Sequence, residues 1–402
     1  MPLRKLIKEA FLSIFDGLFY LFSCFVPKSP MLWVFGSMFG GKYADNSKYF
    51  FEFVVKSCPD IRPVWITGSK EVATALAADG REVYLFYSLR GIWLSMRAGV
   101  GMISHSVVRD IRPFVLNRKA VLVNLWHGIP LKKIAKDDDV SDLRNKKFFT
   151  WLQWLAKLLC PGFARSYDLV IACSQEDRRS FGSAFATPLE RIRVTGYPRN
   201  DRMFQAAPVT PLCKGKKVGI YMPTFRGQEG GSFDFFEQFG FDVDVVNATL
   251  ERLEVHLYLK LHHFNLPDEA IIKAIDAASS LSFYSGDDVY EDLSAIDFLV
   301  TDYSSIYFDY LLLNKPVIFA PFDFEDYVRA NRAFYYNYDE VTPGPKAMNW
   351  NEVCCAIENA ITNPQEYASV RESVRNRFHA HCDGGSSQRV VGEVFKHLEL
   401  KN

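Results

Sequence analysis

Residues 297–321 read DFLVTDYSSIYFDYLLLNKPVIFAP, and their pattern predicts a strand, a polar turn, a helix and a second strand. The two strands are short apolar runs bounded by turn residues. Asp302, Ser304 and Ser305 lie on the turn between the first strand and the helix. A strand, a crossover helix and a further strand form the repeating unit of a parallel α/β sheet.

The turn at residues 301–305 allows two interpretations. A helix that begins directly after a strand directs unpaired N–H groups and the positive end of its dipole above the sheet edge, which suits an anion. Asp302, Ser304 and Ser305 can instead cap that helix, because each has a side-chain oxygen that accepts a backbone hydrogen bond. The serine hydroxyls can also donate to phosphate oxygens. The residues of the turn alone leave both interpretations open.

Short apolar strands alternate with amphipathic helices on both sides of this stretch, which predicts parallel sheets with crossover helices. The predicted strands are Met31–Gly36, Arg62–Thr67, Glu82–Phe86, Val100–Ile103, Ala120–Trp126, Asp168–Ser174, Arg191–Gly196, Val218–Met222, Val255–Leu261, Leu281–Ser285, Phe298–Thr301 and Pro316–Ala320. A stretch rich in Pro, Lys and Ala, residues 197–217, separates two such sets. The predicted fold is therefore α/β, with two doubly wound Rossmann-like domains whose strand ends face one cleft.

A second informative segment, residues 121–133, reads VLVNLWHGIPLKK. An apolar strand ends there and places His127 at its carboxyl edge, where α/β domains carry their reactive groups. Gly128 and Pro130 prevent a helix from starting at once, so the imidazole is expected to stay accessible. Histidine is the usual general base for a hydroxyl nucleophile, because its pKa is near neutral. A structural histidine bonded to a neighbouring carbonyl group is the alternative.

The second half of the chain repeats this arrangement in residues 257–264, LYLKLHHF. Lys260, His262 and His263 follow an apolar strand there. Strand alternation places Lys260 and His262 on one face and His263 on the other. One of the two histidines is therefore expected to be structural.

Two arginines lie where they could bind phosphate. Arg226 lies in YMPTFRG, residues 221–227, after a strand that ends in proline, and Arg332 lies in ANRAFYYNY, which is expected to form a loop. The planar guanidinium forms paired hydrogen bonds with phosphate oxygens, and a merely solvated side chain is the alternative for either residue. No cluster of carboxylates demands a metal ion, and no metal or other cofactor is predicted.

The composition narrows the class of protein. The 402 residues include 47 Lys and Arg and 47 Asp and Glu, so the net charge gives no indication of nucleic acid, and none is predicted as a partner. The eight cysteines form no Cys-x-x-Cys pair and no metal-ligand spacing with histidine, which is typical of a reduced cytoplasm. Aromatic residues reach 15%, a proportion that suggests apolar surface outside the core.

The N-terminal residues predict a helix that associates with a membrane without crossing it. The apolar run at residues 10–26 would be roughly 26 Å long, shorter than a hydrocarbon core of about 30 Å. Its polar residues recur at steps of three and four, so the helix is expected to lie in a membrane interface or against its own protein. These polar residues are Lys5, Glu9, Ser13, Asp16, Tyr20 and Ser23.

A second candidate for a membrane interface is residues 144–165, RNKKFFTWLQWLAKLLCPGFAR. Tryptophan with flanking lysine is typical of helices that lie at the level of lipid headgroups. An ordinary helix that faces the protein core is the alternative.

In their order along the chain, these segments resemble the CDP-glycerol glycerophosphotransferase family, which includes teichoic acid primases and polymerases. The matching motifs span about residues 31–390, and their common order carries the resemblance. They are NLWHGIPLK at 124–132, CSQ at 173–175, TGYPRND at 195–201, MPTFR at 222–226, KLH at 260–262, TDYSS at 301–305 with FD at 308–309, RAFY at 332–335 and PGP at 343–345. The sequence departs from the family's usual pattern at Ile129, Phe225 and His263, where Thr, Trp and Pro or Tyr are usual.

The resemblance implies a GT-B-like fold and assigns roles by motif position. His127 resembles the base that takes the proton of an acceptor hydroxyl, and His262 resembles a residue that assists at the donor phosphates. The residues that the resemblance and the motifs predict to bind substrate are Ser304, Ser305, Arg332, Asp302, Lys260 and Arg226. The predicted parts of the chain are a membrane-associating helix at 1–27, an acceptor-side domain at 28–205, a CDP-donor domain at 206–385 and a C-terminal helix at 386–402.

The predicted reaction moves glycerol phosphate from CDP-glycerol to a hydroxyl of a membrane-linked glycan or poly(glycerol phosphate), and releases CMP. The expected location is peripheral, on the cytoplasmic face of the cell membrane. Two alternatives stay open. One is a transferase that uses CDP-ribitol or a nucleotide sugar on the same fold, and the other is a non-catalytic, membrane-peripheral assembly factor.

Overall fold

The computed structural model describes residues 15–112, 117, 119–138, 166–205, 212–226, 237–262, 265–330 and 333–400. The chain divides into two compact units. The first unit contains Met1–His127, Ile134–Asp201 and Asp383–Asn402, and the second contains Gly128–Lys133 and Arg202–Cys382. Arg332, His263 and the predicted interfacial segment at 144–165 lie outside the described residues.

The first unit is built on a 7-stranded sheet in the order β3-β2-β1-β4-β5-β6-β7, in which neighbouring strands run parallel. The strands are β1 (Ser29–Phe35), β2 (Arg62–Thr67), β3 (Val83–Leu85), β4 (Ala98–Ile103), β5 (Val121–Asn124), β6 (Leu169–Ala172) and β7 (Ile192–Val194). All six residues of β4 are buried, as a parallel strand covered on both faces requires. The helices are α1 (Asp45–Ser57), α2 (Lys70–Ala78), α3 (Leu89–Arg97), α4 (Val107–Asp110) and α5 (Gln175–Ala184).

The second unit repeats the architecture on a 5-stranded sheet, β10-β9-β8-β11-β12, again parallel throughout. The strands are β8 (Lys217–Met222), β9 (Val255–Leu259), β10 (Leu281–Phe283), β11 (Phe298–Thr301) and β12 (Val317–Phe319). The helices are α6 (Val243–Arg252), α7 (Glu269–Ala277), α8 (Ile306–Tyr310), α9 (Phe324–Ala330), α10 (Tyr338–Val341), α11 (Trp350–Thr362) and α12 (Ala368–Phe378). Trp350 of α11 is buried in the core of this unit.

The last helix, α13 (Ser386–Glu399), belongs to the first unit. The carboxylate of Asp201 accepts the backbone N–H groups of Ser386 and Ser387, each at 2.8 Å, so two of the N–H groups that a helix start leaves unpaired are satisfied. Phe395 then packs on Trp33 of β1, with ring centroids 5.8 Å apart. Asp201, the last residue of the TGYPRND motif, therefore has a structural role in anchoring α13.

Both doubly wound α/β sheets are as predicted. Every predicted strand is present, and no strand end differs from its predicted position by more than two residues. In each sheet the chain order reverses beside the first strand of the unit, between β1 and β4 and between β8 and β11. Ligands of doubly wound sheets bind at the carboxyl ends of the strands beside such a reversal. The domain roles assigned from the sequence remain predictions.

The N-terminal helix, described from residue 15 to residue 23, packs with its polar side inward. The buried Asp16 carboxylate accepts from Arg112 at 2.6 Å and from the Tyr87 hydroxyl at 3.1 Å. Ser23 is also buried, and its hydroxyl donates to the carbonyl oxygen of Tyr20 at 2.7 Å. The polar residues of the predicted stripe that the structure describes therefore face the protein. The apolar residues Leu18, Leu21, Phe22 and Phe25 are 53%, 55%, 65% and 87% exposed.

Among the residues that the structure describes, no helix has both the length and the apolar character needed to cross a bilayer.

Candidate functional site

The loop after β5 is held in a strained conformation directly before His127. Trp126 has a φ of 53°, a left-handed conformation that is rare for a bulky residue and costs on the order of 1–3 kcal/mol. Its N–H donates to the Asn124 side chain at 2.9 Å, and its carbonyl oxygen accepts from the Asn46 amide at 2.9 Å. Gly128, with a φ of 148°, then turns the chain away. These bonds fix the place from which His127 projects.

The orientation of the His127 ring is set by a backbone carbonyl group. Its Nδ1 lies 2.9 Å from the carbonyl oxygen of Ser104. A carbonyl oxygen can only accept a hydrogen bond, so Nδ1 carries the proton and Nε2 keeps its lone pair. The bond to a neighbouring carbonyl group that a structural histidine would make is therefore present, and it is compatible with a base that uses Nε2.

The environment keeps His127 neutral at neutral pH. Burial lowers the pKa of His127; the carboxylate of Asp45 and the bond to Ser104 oppose that effect, while Arg199 adds to it. His127 as a whole residue nevertheless keeps partial exposure to solvent. A neutral, oriented and partly accessible imidazole can accept a proton from a hydroxyl group.

A second histidine, which the sequence analysis did not select, lies against His127. The rings of His105 and His127 are stacked, with centroids 4.2 Å apart and planes 5° apart. His105 follows β4, the neighbour of β5 in the sheet. Burial lowers the pKa of His105 to about 2, with further lowering by His127 and Arg199, so this ring is also neutral. The sequence signal was a histidine directly after an apolar strand, the same signal that identified His127.

An ion pair lies at the Nε2 edge of His105. Asp45, the first residue of α1, has a φ of 61°, and one of its carboxylate oxygens lies 3.5 Å from Nε2 of His105. The other oxygen accepts from the guanidinium of Arg199, which belongs to a 3₁₀ helix, Pro198–Phe204. His105, His127, Asp45 and Arg199 lie in segments that follow β4, β5, β1 and β7, and only the folded sheet brings them together. Their separation in sequence explains why Asp45 and Arg199 were not predicted as site residues.

In the second unit, the predicted turn at residues 301–305 leaves its serines available. Ser305 is the N-cap of α8, but its side chain makes no capping bond. Both serines are partly exposed, and within the described ranges neither hydroxyl has a hydrogen-bond partner. The interpretation of the serines as helix caps is therefore wrong. Their hydroxyls are free to bind a ligand.

The helix after the turn is short. α8 has 5 residues and passes into a 3₁₀ helix, Leu311–Leu313, which ends at Asn314 with a φ of 50°. Five residues align only about a turn and a half of peptide dipoles. An anion at this turn would depend mainly on the hydroxyl groups and on cations from elsewhere.

Beneath the turn, Arg226 forms a buried ion-pair network. Its guanidinium donates to Asp302 at 2.7 Å and to both carboxylate oxygens of Asp323 at 2.7 and 2.9 Å. Asp302 also accepts from the N–H and the hydroxyl of Thr224, at 2.8 and 2.7 Å. Arg226 and Asp302 are 6% and 1% exposed, so they form the framework of the turn. Direct contact of either residue with substrate stays a prediction.

His262 and Lys260 lie at the carboxyl end of β9, as the sequence predicted. His262 is exposed and packs beside Phe225, with ring centroids 4.6 Å apart. The Lys260 ammonium donates to the carbonyl oxygen of Gly286 at 3.3 Å and lies 4.6 Å from the Tyr284 ring centroid. Their contact with substrate, like that of Arg332, stays a prediction. Across the described ranges, no group of three or more His, Cys, Asp or Glu could hold a metal ion.

Comparison with known proteins gives a consistent result. Residues 18–396 match the sequence model of a family described as CDP-glycerol:poly(glycerophosphate) glycerophosphotransferase. The chain is 28% identical to the teichoic acid glycerol-phosphate transferase of Staphylococcus aureus, over 98% of this chain and 99% of that protein. It is also 28% identical to the teichoic acid poly(glycerol phosphate) polymerase of Staphylococcus epidermidis, over 92% of this chain but only 51% of that protein.

A solved structure of the wall teichoic acid polymerase TagF superposes with a TM-score of 0.77 at 26% sequence identity. The superposition covers 98% of this chain and 96% of that one. The predicted GT-B-like architecture is confirmed by this similarity.

Proposed function

This chain belongs to the CDP-glycerol:poly(glycerophosphate) glycerophosphotransferase family, and we propose that it transfers glycerol phosphate from CDP-glycerol to a hydroxyl of a membrane-linked glycan or poly(glycerol phosphate) acceptor, with release of CMP. The family membership confirms the resemblance that the ordered motifs carried and the predicted class of enzyme. The product belongs to teichoic acid, capsule or a related surface polymer.

The orientation of His127 is the observation that carries the proposed mechanism. Nδ1 donates to the carbonyl oxygen of Ser104 at 2.9 Å, and this leaves Nε2 to take the proton of the acceptor hydroxyl. The resulting alkoxide attacks the glycerol-bearing phosphorus, and the bond from that phosphorus to the CMP oxygen breaks. Such transfers depend on positioning and on charge neutralisation more than on covalent catalysis.

The donor binds at the carboxyl edge of the second sheet in this proposal. The free hydroxyls of Ser304 and Ser305 donate to the pyrophosphate oxygens of CDP-glycerol. Lys260, His262 and Arg332 supply positive charge or donors to the same phosphates. Because Arg226 is neutralised by two carboxylates, it holds the turn in shape for this contact.

The location at a membrane rests on an apolar outer surface of the first unit. We define this surface by Leu18, Leu21, Phe22 and Phe25 of the N-terminal segment with Leu89 and Trp93 of α3, which are 90% and 49% exposed. The N-terminal helix and α3 contribute to the same hydrophobic cluster. An exposed apolar surface of this kind marks an interaction site.

The charges beside this surface suit anionic lipid headgroups. Arg90 and Arg97 are exposed on α3, and α3 carries no acidic residue. Asp16, an acidic residue of the N-terminal helix, is buried against Arg112. Apolar side chains with flanking cations are typical of helices that bind a membrane interface, and each cation adds about 1 kcal/mol near an anionic surface. The cytoplasmic membrane surface is therefore the proposed partner.

The donor is tested by competition. CMP release is measured with CDP-glycerol, CDP-ribitol and UDP-sugars in the presence of a lipid-linked glycan or poly(glycerol phosphate) acceptor, and product length is read by mass spectrometry. CDP-glycerol is expected to give the highest kcat/KM. A higher kcat/KM with CDP-ribitol or a UDP-sugar would show that CDP-glycerol is not the donor. Absence of turnover with every donor and acceptor would favour a non-catalytic assembly factor.

The membrane contact is tested by point substitution rather than by deletion of residues 1–26, since deletion would also remove the buried contacts of Asp16 and Ser23. Phe22→Ser with Phe25→Ser is expected to reduce sedimentation with vesicles of phosphatidylglycerol and phosphatidylcholine by about tenfold or more. Val370→Ser, at an exposed apolar residue of α12 in the second unit, is the matched control. Equal sedimentation of both variants would contradict the proposed surface.

A further inference from the structure

His105 is a partly buried titratable residue that the proposed reaction does not use, and its stacking on His127 calls for an explanation. Two imidazole rings 4.2 Å apart and nearly parallel cannot both carry a positive charge without strong repulsion. At most one of the two rings can therefore carry the positive charge that forms when a proton is taken up.

We propose that His105 and Asp45 are positioning residues for His127: His105 fixes the plane of its imidazole, and Asp45 stabilises the single positive charge that this ring gains from the acceptor hydroxyl. This inference rests on the proposed role of His127 as the base. Neither residue needs to touch the substrate for this role.

The position of His105 is fixed by hydrogen bonds. Its Nδ1 lies 3.0 Å from the hydroxyl of Ser104, which in turn lies 3.0 Å from the hydroxyl of Ser37. Its backbone N–H donates to the carboxylate of Asp110 at 2.8 Å. Ser104 therefore orients both rings, His127 through its carbonyl oxygen and His105 through its hydroxyl. This shared contact keeps the two planes parallel.

The second face that packs on His127 is also aromatic. The centroid of Trp126 lies 4.0 Å from that of His127, with the planes 33° apart. An imidazole packed against two rings retains little rotational freedom, so Nε2 points in one direction before the acceptor binds. Groups that are already oriented avoid an entropic cost in the transition state.

Asp45 attracts the positive charge that forms on His127 during the reaction. The O–H bond of the acceptor breaks, an N–H bond forms at Nε2 of His127, and the ring becomes a cation. The neutral ring of His105 accommodates that cation without repulsion, and the carboxylate of Asp45 attracts it across the pair. Because Asp45 also pairs with Arg199, its attraction is reduced but not cancelled.

The other charged groups near the pair have defined roles. Asp110 directs its carboxylate to the backbone N–H groups of residues 39, 104, 105 and 106. Arg109 lies further out, 5.5 Å from the ring centroid of Phe39, whose ring contacts that of His105 at 5.4 Å. Asp45 and Arg199 are thus the charges that act most directly on His127 among the described residues.

The test compares pH profiles of kcat/KM for CMP release in full-length protein. Asp45→Asn keeps a residue that tolerates positive φ, removes a negative charge, and is expected to shift the acid limb to lower pH by about one unit. His105→Ala admits water beside His127 and is expected to shift the same limb to higher pH, with a loss of about tenfold or more in kcat at the plateau. His105→Phe retains a flat ring and is expected to recover most of that plateau.

A purely structural role predicts a different result. Variants that lose activity only in proportion to a lower melting temperature, with an unmoved acid limb, would overturn the proposal. Failure of His105→Phe to recover activity while it folds normally would also contradict positioning by stacking.

A direct titration separates this inference from the proposed function. The pKa of His127 is measured by NMR with ¹⁵N-labelled histidine, and its resonance is assigned by its absence in His127→Gln. Opposite shifts in Asp45→Asn and His105→Ala are expected even if wild-type protein releases no CMP, a result that would contradict only the proposed function. An unchanged pKa of His127 in both variants would disprove the pairing.

Discussion

The carboxyl edges of the two sheets carry different kinds of chemistry. In the first unit, two neutral imidazoles lie at the edge, and the Asp45–Arg199 ion pair lies beside Nε2 of His105. In the second unit, the charges of Arg226, Asp302 and Asp323 are buried and paired, while two serine hydroxyls face outward. The first edge is therefore suited to moving a proton, and the second is suited to holding an anion without moving one.

The largest effect is expected from the first edge. His127→Ala removes the only group there whose Nε2 is oriented by a bond from Nδ1 to a backbone carbonyl among the described residues. We expect CMP release to fall by about 10²–10⁴-fold in protein that circular dichroism shows to be folded at the assay temperature. A steady-state assay of CMP release checks this, and near-wild-type turnover would remove His127 from the mechanism.

Loss of the Arg226 ion-pair network at the second edge is expected to lower the stability of the protein. Arg226→Ala leaves the buried carboxylate of Asp302 and the partly buried one of Asp323 without their guanidinium, and we expect a loss of about 3–5 kcal/mol in the free energy of unfolding. Arg329→Ala is the matched control. Its exposed pair with Glu325 at 3.0 Å is worth at most about 1 kcal/mol. Urea denaturation followed by circular dichroism gives both values, and similar losses in the two variants would show that the network is not a framework.

The hydroxyls of the second edge are expected to affect binding alone. Ser304→Ala with Ser305→Ala should raise the KM for CDP-glycerol by about ten- to hundredfold. The melting temperature should not change, because neither hydroxyl forms a hydrogen bond with another residue that the structure describes. Ser69→Ala provides the contrast. The Ser69 side chain accepts the N–H of Val72 as a helix cap, so its loss should cost about 1 kcal/mol of stability and leave the KM unchanged.

At the first edge, sequence patterns predicted the strands and one site residue but missed three others. Strand positions followed from short apolar runs, and His127 followed from its place after one of them. His105 has the same local signal, but its importance depends on β4 and β5 being neighbours, which is a property of the sheet order. Asp45 and Arg199 are separated by more than 150 residues in sequence, so only the fold shows their ion pair.

The turn at residues 301–305 illustrates the opposite case. Its residues correctly predicted a strand, a polar turn and a helix. The α-helix passes into a 3₁₀ helix after Tyr310, and this stretch ends at Asn314, which has a positive φ and precedes Pro316 by two residues. Asn at a positive φ and a following Pro are typical of a helix end, so the end of the helical stretch could have been predicted. The burial of Arg226 and Asp302 could not, because a polar residue after a strand can face either solvent or a partner.

The central claim is that the first edge takes the proton and the second edge binds the donor. Calorimetric titration of CDP-glycerol tests it most directly. His127→Ala is predicted to bind the donor within about threefold of the wild-type Kd, because it lacks only the proton acceptor. The double variant Ser304→Ala with Ser305→Ala is predicted to bind at least about tenfold more weakly. Equal loss of donor affinity in the two variants, or wild-type affinity in the serine variant, would contradict this account.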